Sequence, residues 1–371
     1  MDFKDLERVY KKHMFLKHDP EFLAVVIGTI IANRFDNEPV WLMIVAPPSG
    51  GKSRILQPLE ASSEVIMRSL ITPNALISSA KKKDTHDNKE ASLLAQLDGK
   101  TLIIRDATAF EGMHPSYRAQ IFSQLRCAFD GVLEKSTGLG TKVFKAKFGV
   151  IVGTTPITER KKTLESSLGE RFLYYRPCMA GEGDPELWEK VMGQAGKESA
   201  IKKELANATI EFLEGFKEPS EVMTPHQLVE LANQITRLRM SFSRDRNSRR
   251  IDYPSEKEMS YRVLKQMCGM YTALYSLTKS TVRVMYIMKM LTLHSAGYYR
   301  KRVMDSLKRY RLVGEIATKL GTSRSHIQMT LEELVIAQVV DKKVSGNSTP
   351  DEYFLSRGIK KLYVARPRMV I

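Results

Sequence analysis

The sequence predicts an α/β protein built on a parallel sheet, followed by a helical stretch and a small basic domain. Three observations predict it. Apolar runs of strand length alternate with helical patterns over residues 1–184. Strand signals stop near Pro185, and residues 185–280 read as helices. Residues 281–371 carry 17 Lys and Arg against 7 Asp and Glu, so a net +10 of the chain's +16 lies in its last quarter. Such a field attracts polyanions, of which nucleic acid is the usual one.

Each element has its own reason. Residues 3–36 read as two helices punctuated by HDPEF at 18–22. Residues 40–45 form a buried strand that enters the turn APPSGGKS, and helix resumes at Ser53. AKKKDTHDNKEA (80–91) is polar and aperiodic, hence a loop or disordered insert. SLLAQL is a short helix, and GKTLIIRDAT is a turn and a second buried strand. HPSYRAQIFSQLRCAFDG is a helix opened by Pro115 and ended by Gly131. VLEKSTGLGTKVFKAKF reads as a β-hairpin, GVIVGTTP as a third buried strand, and RFLYYRP as a further short apolar run. A basic stretch, RLRMSFSRDRNSRRIDYP (237–254), interrupts the later helices.

Composition excludes several classes. With 43% hydrophobic and 27% charged residues, the chain is not wholly disordered. Its best membrane candidate, residues 22–32, is about half the roughly 20 residues a span needs. The opening MDFKDLERVYKK has acidic residues and no apolar core, unlike a signal peptide. Cys127, Cys178 and Cys268 lie far apart, which suits the cytoplasm and argues against a disulfide scaffold or a zinc site.

The turn is read as a phosphate cradle. Backbone N–H groups of Pro48–Arg54 (Ser49, Gly50, Gly51, Lys52 and Ser53 between them) would wrap the phosphates of ATP. Lys52 would reach the outer ones and the Ser53 hydroxyl would bind Mg²⁺. Pro48 itself has no N–H to give. Ala46 stands where GxxxxGK[ST] has its first glycine, at little cost if its φ is negative. Asp106, ending TLIIRD, would hold the magnesium shell; Ala107 follows it in place of a glutamate, leaving Glu111 as the nearest acidic substitute for polarising water.

In the tail, LVGEIATKLGTSRSHIQMTLEELVIAQVVDKK has helix-turn-helix form. Gly321 makes the turn, Thr322 or Ser323 caps the second helix, and Arg324, Ser325, His326 and Gln328 lie where a recognition helix meets a groove. VVDKKVSGNSTPDEYFL suits a β-wing.

Taken together, APPSGGKS, LLAQLDGKTLIIRDAT, YRAQIFSQLRCAFDG, KSTGLGTKVFKAK, GVIVGTTP and LGERFLYYRP resemble, in order and spacing, the AAA+ ATPases that serve as replicative helicases of phages, plasmids and other mobile elements. More distantly they resemble the minichromosome-maintenance helicases. The resemblance implies an AAA+ core with a presensor hairpin (1–184), a helical lid (185–280) and a winged-helix domain (281–371). It implies Thr154 or Thr155 as the sensor of the γ-phosphate and Arg171 as an arginine finger acting in a neighbouring subunit of a ring, commonly a hexamer. Arg262 is implied as the lid's sensor, with Arg237, Arg239, Arg244 and Arg246 as rivals. Lys135, Lys142, Lys145 and Lys147 of the hairpin would follow single-stranded DNA in the channel, and duplex DNA would meet the winged helix. The implied activity is an ATP-driven DNA helicase or helicase loader. Two alternatives stand beside it: an origin-binding initiator, and a nucleotide-gated regulator without turnover.

Overall fold

Strand β1 (Trp41–Val45) is buried at every position, as a strand covered on both faces must be. Around it a five-stranded sheet runs in the order β2-β3-β6-β1-β7 in the computed structural model, and every pairing in it is parallel. The other members are β2 (Val65–Arg68), β3 (Thr101–Ile104), β6 (Gly149–Thr154) and β7 (Phe172–Tyr175). The structure describes residues 1–77, 92–110, 112–137, 140–157, 171–178, 184–245, 247–254, 258–344 and 350–363. The polar insert 80–91 therefore lies outside the described residues.

Alternation sorts the apolar side chains onto two faces. Trp41, Met43, Val45, Leu102, Ile104, Val150, Val152, Phe172 and Tyr174 join one core cluster. The short helices α4 (Pro73–Leu76) and α5 (Leu93–Leu97) add Leu76, Leu93, Leu94 and Leu97 to it. Helix α6 (Pro115–Phe129) and the hairpin of β4 (Val132–Thr137) and β5 (Gly140–Lys145) complete it through Phe122, Leu125, Phe129, Leu133 and Phe144. Trp41 sits at its centre, edge-on to Phe129 at 5.0 Å, and its indole N–H donates to the Phe148 carbonyl at 3.1 Å. On the other face Tyr175 stacks on Phe22 at 5.6 Å. Phe22 belongs to α2 (Glu21–Ala32), which is buried along its whole length.

Strand β2 was not expected from the sequence. It lies at one edge of the sheet, with Ile66 only partly covered and Arg68 exposed, and its apolar run is just the three residues 65–67.

Two glycines in β6 allow close approach. A Cβ on Gly149 would lie 2.2 Å from the Asn33 amide, which fastens the end of α2 to Val40 through bonds of 2.8 and 2.9 Å. A Cβ on Gly153 would lie 2.3 Å from the Arg105 carbonyl and 3.7 Å from the Lys52 side chain. Backbone cannot yield as a flexible side chain can, so Gly153→Ala is expected to cost about 1–3 kcal/mol by overpacking. A thermal melt checks this, and an unchanged midpoint would refute it.

The described residues fall into two compact units, Met1–Met223 with Gly269–Thr281, and Thr224–Cys268 with Val282–Ile371. This grouping divides the chain at other places than the boundaries at 184 and 280 that the resemblance implied. Helix α8 (Glu198–Gly215) belongs with α1 (Phe3–His13): Tyr10 meets Thr209 at 2.8 Å, and Lys12 and His13 both meet Glu204. The other unit contains α9 (Gln227–Arg239), a small antiparallel hairpin of β8 (Phe242–Arg244) and β9 (Ile251–Pro254), and the C-terminal elements from α12 (Tyr298–Ser306) onward. Helix α10 (Tyr261–Thr278) is divided between the units, and α11 (Thr281–His294) falls almost wholly in the second. No helix of the described residues is long and apolar enough to cross a membrane.

Candidate functional site

The sheet brings three strand ends together. In the order β3-β6-β1, the carboxyl ends of neighbouring strands carry Asp106, Thr154 and the turn after Val45. In open parallel sheets ligands bind outside these ends, near the point where the strand order reverses.

The turn itself is well formed. The Ala46 N–H donates to the Thr154 carbonyl at 3.1 Å, which zips β1 to β6 up to the loop, and the Gly50 N–H donates to the Pro47 carbonyl at 3.1 Å. Positive φ falls at Ser49 (59°) and Gly51 (73°), not at Ala46. That explains the missing first glycine: the position is not left-handed, so alanine is tolerated. Gly51 leads into the helix α3 (Lys52–Leu56), and its carbonyl accepts from Arg54 and Ile55. Pro47, Pro48, Ser49 and Ser53 are exposed.

Lys52 folds back beneath the turn. Its ammonium donates to the carbonyls of Ala46 at 2.5 Å and Pro47 at 3.0 Å, and the residue is only 8% exposed. Burial pulls its pKa below the ordinary lysine value, and the negative charge of Asp106 opposes that shift. Asp106 is exposed just beyond β3, and its Oδ1 accepts from the Thr108 N–H at 3.0 Å. Thr154 is completely buried, and its hydroxyl has no hydrogen-bond partner among the described residues. A buried polar group without a partner is costly, so this hydroxyl marks a place suited to a polar ligand. Thr155 is partly buried. Glu111 lies outside the described residues.

The Arg54 side chain is engaged elsewhere in the same unit. It bonds Gln194 Oε1 and lies 3.8 Å from Glu198, beside α7 (Pro185–Gly193) and α8. Gln194 is buried and also donates to the His13 carbonyl at 2.9 Å. Sequence reasoning misses this tie because its partners are distant along the chain.

Arg171 lies at the opposite end of the sheet. It precedes Phe172, which registers with Trp41, the first residue of β1. Its guanidinium covers the Phe129 ring at 5.4 Å and pairs with Asp130 at 3.4 Å. Glu170, the neighbouring carboxylate along the chain, lies outside the described residues. Arg262 belongs to the other unit, where it lies 3.8 Å from Glu258. Among its rivals, Arg244 is held by Glu332, Glu333 and the Met329 carbonyl, and Arg246 lies outside the described residues.

The hairpin is antiparallel as expected, with Lys135 opposite Lys142 and Val132 opposite Lys145. Lys145 is exposed. Lys147 departs from the expectation. It follows the end of β5, and its ammonium donates to the Phe35 carbonyl at 2.8 Å and reaches Asp36 at 3.4 Å. It therefore fastens the strand exit to the chain after α2.

The tail forms the expected helix-turn-helix. Helix α13 (Val313–Leu320) ends at Gly321 in the left-handed conformation, φ 62°, and the Thr322 N–H returns to the Ala317 carbonyl at 3.1 Å. Of the two candidate caps it is Ser323 that serves, accepting from the His326 N–H at 3.2 Å to open α14 (Arg324–Ile336). Strands β10 (Val340–Lys343) and β11 (Glu352–Leu355) pair antiparallel behind it. Arg324, Ser325 and His326 are exposed, with the His326 ring edge-on to Tyr299 at 4.3 Å. Gln328 is turned inward to Glu332 and the Tyr353 hydroxyl.

No protein-family model matches the chain, and no curated protein matches it significantly. The class therefore rests on fold and site: an α/β protein whose parallel sheet and glycine turn are consistent with a P-loop-like fold.

Proposed function

We propose that the chain is an ATP-driven DNA helicase, or the ATPase that loads one, of the AAA+ type and of a phage or other mobile replication system. The convergence of Lys52, Asp106 and Thr154 at the ends of three neighbouring strands carries this reading. The residues fit a nucleoside triphosphate with magnesium. Gly51 and Lys52 would offer backbone N–H groups, and Lys52 its cation, to phosphate oxygens, the Gly50 N–H being bonded to the Pro47 carbonyl; the Ser53 hydroxyl and Asp106 carboxylate would hold Mg²⁺. The metal would neutralise charge on the outer phosphates. The described residues hold no cluster of three or more His, Cys, Asp or Glu able to cage a metal. Mg²⁺ is commonly bound by one or two carboxylates together with substrate phosphates. The unpartnered Thr154 hydroxyl would find its bond on the nucleotide.

Two features support nucleic acid as the second partner. The lysine-bearing hairpin connects α6 to β6, the strand that ends at Thr154. The exposed Arg324, Ser325 and His326 open the second helix of the helix-turn-helix, which reads as part of a winged-helix domain.

One observation favours the nucleotide-gated regulator instead: Asp106 is followed by Ala107 and not by a glutamate, so the nearest carboxylate that could activate water is Glu111, five residues on. The deciding experiment incubates the purified full chain with Mg-ATP and a forked DNA. DNA-stimulated hydrolysis with strand displacement is expected. Hydrolysis without displacement would select the initiator, and nucleotide binding without hydrolysis the regulator.

A further inference from the structure

The stretch 237–254 reads in sequence as a basic interruption, with six arginines against two aspartates. In the structure its second part is the β8–β9 hairpin, Ser243 facing Tyr253 and Arg244 facing Ile251. We propose that this hairpin is a second nucleic-acid contact, which grips the phosphodiester backbone beside the helix-turn-helix. The inference rests on the reading that this module meets nucleic acid.

The tip is folded by its own acid. Asp245 Oδ1 accepts from the N–H groups of Asn247 at 3.0 Å and Ser248 at 2.6 Å, and its carbonyl accepts from Arg249 at 3.0 Å. The carboxylate is thus turned to the backbone, and the arginines stand outside it. Arg249 occupies the left-handed region at φ 57°, where glycine or asparagine is at ease. A guanidinium held there against the backbone's preference points to use of the side chain. Arg249 and Arg250 are both exposed, and neither pairs with a carboxylate among the described residues.

The base of the hairpin is fixed to α14. The Arg244 guanidinium donates to the Met329 carbonyl at 2.7 Å, to Glu333 at 3.2 Å and to Glu332 at 3.3 Å. Arg300 completes the clamp, donating to Glu333 at 2.8 Å and to the Met240 carbonyl at 2.6 Å. Two consequences follow. The tip holds a set position relative to the recognition helix, and the two glutamates that would repel phosphate are neutralised. The arginines of this unit therefore play two different parts. Arg244 and Arg300 build the mount, while Arg249 and Arg250 are offered outward. Guanidinium contacts to phosphate add affinity without sequence preference and position the protein on its duplex.

The test measures binding of the full chain to a fluorescent duplex of about 30 base pairs, long enough for two half-sites and flanks, across a range of NaCl concentrations. The double variant R249Q/R250Q is expected to lower the slope of log K against log salt by about 2, near one for each lost phosphate contact, and to weaken all duplex sequences alike. Arg249→Lys with Arg250→Lys should restore the slope, and thermal melts of all variants should match. A slope unchanged in R249Q/R250Q while R324Q weakens binding would overturn the hairpin alone. Absence of duplex binding by the unaltered chain would overturn the hairpin and the reading of the module together.

Discussion

Replacing Lys52 by alanine is expected to lower ATP turnover by about 10²–10³-fold, the scale for removing one preorganised charge stabiliser. The side chain lies under the glycine turn, 8% exposed, with its ammonium on the Ala46 and Pro47 carbonyls. A phosphate arriving at the turn offers that ammonium a charged acceptor in place of two neutral ones. Burial lowers its pKa and Asp106 only partly opposes that, so an arriving phosphate would add the stabilisation of the charged form that burial takes away. Lys52→Arg should fail as well, because a planar, forked guanidinium does not reproduce the compact ammonium that meets the Ala46 and Pro47 carbonyls. Steady-state hydrolysis and binding of a fluorescent nucleotide measure the effect. Turnover at the unaltered level in Lys52→Ala would remove the phosphate site from the turn.

Arg171→Ala should lose about 10³-fold or more in turnover, the scale of an arginine finger, while still binding nucleotide. The physical ground is its position. Arg171 precedes β7 at the amino end of the sheet, whereas Lys52 follows β1 at the carboxyl end, and the two strands are parallel with Trp41 opposite Phe172. Arg171 therefore cannot serve the phosphate site of its own sheet. Any catalytic work it does falls on a second copy of the chain. Mixing provides the discriminating measurement. Lys52→Ala chains retain the finger and Arg171→Ala chains retain the cradle, so a mixture should regain activity that neither has alone. A mixture as inactive as its components, or an Arg171→Ala chain with full turnover, would return Arg171 to its local role against Phe129 and Asp130.

The legible parts of the fold were those written in contiguous residues. Strands β1, β3 and β6 are fully buried runs; Asp106 was legible at the end of the second without any knowledge of pairing, whereas Thr154 or Thr155 came from the family resemblance. Gly321, with Thr322 or Ser323 as the cap, declared the helix-turn-helix because a left-handed stop and a side-chain cap are local demands. The close approach at Gly153 was not read from the sequence, because its neighbour, the Arg105 carbonyl, lies just beyond the end of another strand, β3. The hairpin at 242–254 was hidden because short, arginine-rich strands lack apolar alternation. The bond of Lys147 to the Phe35 carbonyl was not legible, because a lysine near a hairpin looks the same in sequence whether it faces solvent or meets a distant carbonyl.

The sequence by itself determined where a glycine turn follows a buried strand and which side chains end the buried strands, since hydrophobic runs, glycine and capping act over a few residues. Only the tertiary structure decided that β6 lies between β1 and β3, which brings Lys52, Thr154 and Asp106 to one edge. It also decided which arginines are consumed by the fold and which stay exposed. Arg244 and Glu333 lie 89 residues apart and Arg54 and Gln194 lie 140 apart. A long cation takes whichever acceptor packing brings within reach, and no local pattern records that choice.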